Sequence, residues 1–160
     1  MDAPKFPVPG LRELIDGVEE AHRSDVTDME PYLDRHTGQV IYVLATERPD
    51  YIEATPELIE EMNRVEADQE DRYFRLRTID LPHDGDIIDD FIDDQDEAVA
   101  TRLARAFSGR GRFRRFKDAA HELGLIHAWH RFQRSVQAAY VRRGCKAHGI
   151  QFNDDEPATS

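Results

Sequence analysis

"YLDRHTGQVIYVL", residues 32–44, decides how this chain is built. Two runs of β-forming residues flank a polar stretch that contains Gly38. That pattern predicts a β-hairpin whose loop of three to five residues holds the glycine in a left-handed conformation. Alternation is imperfect in "VIYV", which points to a strand covered on both faces or to a bulge. Further on, "RYFRLRTIDL", residues 72–81, alternates aromatic or aliphatic side chains with arginines and reads as a third strand. Phe74 and Leu76 then share one face, and Tyr73, Arg75 and Arg77 the other.

Helical periods surround these strands. Leu11, Leu14, Ile15 and Val18 follow the i, i+3, i+4, i+7 rule of an amphipathic helix ending near Ser24. Thr55 and Pro56 are an N-cap and first-turn pair, starting a helix with Leu58, Ile59, Met62 and Val65 inward. After the "LPHDGD" loop, "IIDDFIDDQDE" spaces Ile87, Ile88, Phe91 and Ile92 as a stripe among aspartates. "EAVATRLARAF" buries Val99, Leu103, Ala106 and Phe107, and "SGRG" ends it. "RFRRFKDAAHEL" resumes with Phe113, Phe116, Ala119, Ala120 and Leu123 inward and stops at Gly124. A last helix runs to about Lys146 on the stripe Trp129, Phe132, Val136 and Tyr140.

Strands grouped early and helices segregated late predict an α+β fold. Its small three-stranded antiparallel sheet, the hairpin plus one strand, packs with helices, and the C-terminal half is all helical. Residues 1–10 are expected as a flexible N-terminus, 11–152 as a single α+β domain, and 153–160 as a disordered tail.

With 160 residues, 39% hydrophobic and 34% charged, the chain has enough apolar content for one modest core. The lone cysteine, Cys145, excludes an internal disulfide framework and a Cys-based zinc site, and suits a reducing compartment. "MDAPKFPVPG" has no apolar signal core, and no run approaches the length of a membrane span. A cytoplasmic protein without membrane contact is expected. The net charge of −12 conceals a division: residues 1–100 carry nine Lys or Arg against 28 Asp or Glu, and residues 101–160 carry twelve against five. Such asymmetry marks either a surface for an acidic partner or two halves with complementary fields.

Five blocks in order carry a resemblance: "YLDRHTGQVIYV", "RYFRLRTID" leading into "DIIDDFIDD", "GRGRFRRFKDAAHELGLIHAWHRFQ", and "GI" near the end. Over roughly residues 11–152 the chain resembles a bacterial uncharacterised protein family, number 0158. The resemblance implies that the blocks form one unit. It attaches no activity, cofactor or catalytic residue.

The chemistry is therefore read from the residues. In "SGRGRFRRFKDAAHELG", residues 108–124, the glycine-bounded helix entry is neither a Walker loop nor a dinucleotide fingerprint. Its amides and Arg110, Arg112, Arg114, Arg115 and Lys117 suit an anion, in a patch continuing to Arg131 and Arg134, with Arg142 and Arg143 beyond. Phe113 and Phe116, three apart, are read as core anchors rather than base-stacking platforms. The competing reading is that the acidic helix neutralises these arginines.

Asp86, Asp89, Asp90 and Asp93 have the oxygen donors that Mg²⁺ or Ca²⁺ takes, but the calcium-loop spacing is absent, and a solvated acidic face is expected. His127 and His130 sit three apart near His121 without a third ligand, so no metal site is assigned. Cys145 lies among Arg142, Arg143 and Lys146, which would lower its pKa if it were exposed, but it lacks the setting of a nucleophile. No cofactor is implied. The residues favour a non-enzymatic binding or regulatory domain acting on a protein partner through charged faces. An RNA- or DNA-associated factor using residues 110–117 is the alternative, and a metal-dependent enzyme using the aspartates the third.

Overall fold

The computed structural model describes residues 6–23, 28–50 and 52–156. Its elements are α1 (Leu11–Arg23), β1 (Met29–Asp34), β2 (Gln39–Leu44), α2 (Pro56–Glu66), β3 (Tyr73–Arg75), α3 (Asp84–Asp93), α4 (Glu97–Ala106), α5 (Arg112–Glu122) and α6 (Ile126–Ala147). The three strands form one antiparallel sheet in the order β2-β1-β3, so the fold is α+β with a helical C-terminal half. The expected end of α1 near Ser24, residues 1–5 and residues 157–160 lie outside the described residues. The chain divides into two compact units, residues 1–81 with 138–158, and residues 82–137. The span expected as one domain, residues 11–152, takes in parts of both.

In the first unit the hairpin closes through residues 35–38, with Gly38 at φ +72°. A side chain there would be strained, and its Cβ would also meet the Pro7 carbonyl oxygen at 2.7 Å. The outward N–H of Val40 on the β2 edge donates to Glu13 Oε1 of α1 at 2.9 Å, which occupies part of an otherwise open edge.

The third strand is shorter than its alternation suggests, three residues instead of ten, and turns into a 3₁₀ segment at Leu76–Thr78. Pro31 supplies the reason. The Arg35 N–H donates to the Arg72 carbonyl, whereas the Gly38 N–H reaches the Asp34 carbonyl on the β2 side. Odd-numbered residues of β1 therefore address β3. The register that pairs Leu33 with Phe74 sets Pro31 opposite Leu76, and proline has no N–H to offer there. The Leu76 carbonyl instead accepts from Ile79 N–H at 3.1 Å, closing the 3₁₀ turn.

One face of the sheet packs into a core of Leu11, Leu14, Ile15, Val18, Leu33 and Leu76, joined by Ile79, Val141 and Cys145. Gly144 permits close approach there, since a Cβ would lie 2.7 Å from an Ile79 methyl. The other face meets α2 through Val43, Ile41, Met62, Leu58 and Ile59. Thr55 caps α2, its Oγ1 accepting from Leu58 N–H at 3.3 Å.

Residues at the two ends of the described chain complete this unit. Asn153 N–H donates to the Pro9 carbonyl, Leu11 N–H donates back to Asn153, and Gly10 and Asn153 form a parallel bridge. Asp155 accepts from Arg12 N–H at 2.8 Å, placing a carboxylate at the positive end of α1, and Arg142 holds Asp154 in a fork. Ordered contacts thus reach Glu156, past the expected boundary at 152, and on the N-terminal side Phe6 stacks on His36 at 4.3 Å.

The second unit is helical. Ile87, Ile88, Phe91, Leu103, Phe107, Phe116 and Trp129 form its core, in which Phe91, Phe116 and Trp129 meet edge to face. α3 starts inside the expected loop, at Asp84, because Asp84 and Asp86 suit the first turn of a helix. Along α6 the inner stripe shifts after Val136 to Ala138, Val141 and Cys145. Tyr140, expected in that stripe, lies in neither core and carries the Arg143 guanidinium 5.0 Å from its ring centre.

Candidate functional site

The basic segment grows out of the end of α4. Phe107 caps that helix, and Gly109 and Gly111, at φ +69° and +74°, turn the chain into α5. Arg115 reaches back over this turn. Its guanidinium donates to the carbonyls of Ser108 and Arg110, and at 3.3 Å to Ala106. A cation on the last carbonyls of α4 satisfies acceptors that the helix leaves open and opposes its dipole. Arg115 is thereby a structural clamp.

Arg112 is also engaged within the unit. Its guanidinium carbon sits 4.5 Å from the Phe107 ring centre and 5.1 Å from that of Phe113. It shares a polar groove with His83, Asp84, Asp86 and Asp89, so the acidic helix meets the basic segment at this residue. Among the described residues no carboxylate comes within 4.0 Å of it.

Phe113 departs from its expected place in the core. It is 42% exposed and meets Phe107 edge to face, with ring centres 5.3 Å apart, whereas Phe116 is completely buried. A spacing of three residues advances 300° around a helix, so two such positions share a wide apolar face but not a narrow one. The buried face of α5 is narrow, consisting of Phe116, Ala119 and Ala120.

The remaining cations face water. Arg110, Arg114, Lys117 and Arg131 are exposed and form no ion pair among the described residues; Arg134 is half-buried and engaged. The suggested extension to Arg142 is closed off because Asp154 binds that guanidinium through two hydrogen bonds of 2.9 and 3.0 Å. All eight acids between Asp84 and Glu97 are exposed. No group of three or more His, Cys, Asp or Glu among the described residues is arranged to hold a metal.

Cys145 is fully buried, and burial pushes its thiol up to about 11. The nearby basic residues do not activate it, because desolvation of the thiolate dominates. A thiol reagent at pH 8 is expected to leave the native protein unmodified and to label it fully in denaturant. Rapid native labelling would contradict this burial.

Charge clusters also arise on the α2-facing side of the sheet, where the sequence periods did not reveal the partners. Glu30 and Asp34 are only 6% and 5% exposed. Arg75 and Arg77 both donate to Glu30, at 3.0 and 2.8 Å, and Arg72 grips both oxygens of Asp34 at 2.9 Å. Burial pushes both carboxyls up, but the arginine hydrogen bonds and charges outweigh it and hold both below their ordinary values. The signal was present as Glu30, Tyr32 and Asp34 at every second position. Only the strand register shows that these face the arginines.

A family model described as Uncharacterised protein family (UPF0158) matches residues 11–156. The chain belongs to that family. No curated protein and no solved structure matches it. No helix among the described residues is long and apolar enough to cross a membrane.

Proposed function

We propose that this chain is a non-enzymatic binding or regulatory domain that takes an acidic segment of a partner protein along the outer side of α5. Arg110, Arg114 and Lys117 are its charged contacts, with Arg131 and Arg134 as a second line. The observation that carries this reading is the division of labour within the basic segment. Arg115 and Arg112 are held by the turn and by aromatic rings, while Arg110, Arg114 and Lys117 are exposed without an ion pair among the described residues. Phe113 adds an exposed aromatic ring, and arginine with aromatic residues is the composition enriched at protein interfaces.

A polyanion such as RNA would meet the same cations but also the eight exposed acids of the same unit. A short acidic segment carries fewer charges than a polynucleotide of the same length and suffers less of that repulsion, which favours the protein partner. A lone, buried, unpaired cysteine suits the reducing setting of a cytoplasm.

Fluorescence anisotropy with a labelled peptide of alternating Glu and Leu, against a labelled single-stranded RNA of equal length, tests the reading. The peptide is expected to bind more tightly. The triple variant Arg110→Glu, Arg114→Glu, Lys117→Glu should lose at least about tenfold in affinity, about 1.4 kcal/mol, with an unchanged circular dichroism spectrum. Equal binding by the variant would sink the proposal. Preference for RNA, falling steeply between about 50 and 200 mM salt, would transfer the surface to nucleic acid.

A further inference from the structure

In the first unit, three arginines of similar burial each hold a carboxylate in a two-bond fork. Arg72, Arg77 and Arg142, with side chains 34%, 31% and 33% exposed, grip Asp34, Glu30 and Asp154. Arg35 breaks the pattern. At 27% exposed it is the most enclosed of the four, yet its ion-pair neighbour is Asp71, 3.8 Å away and 83% exposed. Its guanidinium makes no hydrogen bond among the described residues, and its Nε is sealed from solvent without a partner. One side of the group is covered by Phe74, 5.5 Å from the guanidinium carbon to the ring centre.

A guanidinium carries five donors and keeps its charge at any pH the protein meets. An exposed carboxylate at that distance is screened by water and offsets little of the charge. An enclosed cation with unused donors is a stable arrangement when an anion from outside completes it.

Arg35 lines a cleft of about 180 Å³, and it is the only charged side chain among the described residues that line it. Phe6, Val8, Leu33 and Ile150 give apolar walls, with Leu33 and Ile150 anchored in the core. The main-chain pairing of residues 9–11 with Asn153 holds the two chain segments that form the sides. A space of this size holds a ring-sized molecule.

We propose that this cleft binds a compact carboxylate bearing an apolar group. The carboxylate pairs with the two terminal nitrogens of Arg35, which unlike Nε are not sealed from solvent, and the apolar part lies against Phe6, Leu33 and Ile150. The acid has two sources with the same chemistry, a free aromatic or branched aliphatic acid or the terminal carboxylate of a peptide. This site is separate from α5 and does not rest on the function proposed above.

The test is a titration of the ¹⁵N-labelled full chain, following the amides of Leu33, Ile150 and Gln151. Probes are benzoate, its neutral counterpart benzamide, and N-acetyl-Gly-Phe as the free acid and as the amide. Saturable shifts are expected with at least one acid and with neither neutral compound. Benzoate alone binding assigns a free acid, and tighter binding of the peptide acid assigns a chain terminus. Arg35→Gln should reduce affinity at least about tenfold while retaining the wild-type spectrum elsewhere, because the side chain makes no hydrogen bond among the described residues. Arg35→Lys, which keeps the charge but loses the fork, should fall between. No saturable shift with either acid, equal binding of the neutral compounds, or undiminished binding by Arg35→Gln would each overturn the proposal.

Discussion

Truncation of Phe116 to alanine is expected to destabilise the helical unit by about 4 kcal/mol, the largest loss any alanine substitution in α5 should produce. Phe116 is completely buried, and its ring centre lies 5.1 Å from Trp129, 6.0 Å from Phe107 and 6.2 Å from Phe91. Beyond it α5 buries only Ala119 and Ala120, too little apolar surface to hold a helix this polar in place. The measurement is direct because Trp129 is the sole tryptophan. Its fluorescence should report a lower denaturant midpoint and, in the native baseline, a shift to longer wavelength as water gains access. Phe113→Ala, three residues away, should cost less than about 1 kcal/mol, since that ring is already 42% exposed. Equal losses for the two variants would contradict the assignment of one as anchor and the other as surface.

Glu30→Ala should cost the sheet-containing unit about 3 kcal/mol. Removing one partner from a buried ion pair costs about 3–5 kcal/mol because the remaining charge is left without compensation. The lower end applies here, as Arg75 is 54% exposed and can turn to water, while Arg77 is more enclosed. The same carboxylates set the response to acid. Glu30 and Asp34 are held below their ordinary values in the folded chain, so the stability they contribute is fully present above the unfolded carboxyl range, about 4, and is lost as pH falls through their lower folded values. Their contribution to the denaturation midpoint should therefore be level from pH 7 to about 5 and decline below about 4. Glu30→Gln should make that decline shallower. An unchanged acid slope in this variant would remove Glu30 as a source of it.

Periodicity made the helices legible, and the turn glycine marked the hairpin. A side chain's exposure at the margin of a stripe was less legible, as Phe113 and Tyr140 show, because a helix stripe is only as wide as the neighbour that covers it. The length of β3 depended on Pro31 of a different strand, which becomes relevant only when the register is known. The roles of Arg112 and Arg115 were hidden for a related reason. Composition marks a cluster of cations, but whether each meets carbonyls, rings or water is decided by how α4 hands over to α5. Glu30, Asp34 and Arg35 are a third instance, with partners or the lack of them set by pairings across 38 to 47 residues of chain or by an enclosed cleft.

The interrupted first unit has a consequence for how the protein emerges during synthesis. Its sheet and first two helices are complete by residue 81, but Val141, Cys145 and Ile150 of the same core follow only after residues 82–137 have been made. At about 5–20 residues per second, those 56 intervening residues take about 3–11 seconds. The helical unit is continuous in sequence and can close during that interval. Throughout it, the part of this core that Val141, Cys145 and Ile150 complete, with Ile79 at its edge, waits uncovered at the ribosome, and this is when the nascent chain is most open to capture by a chaperone or by another unfinished copy.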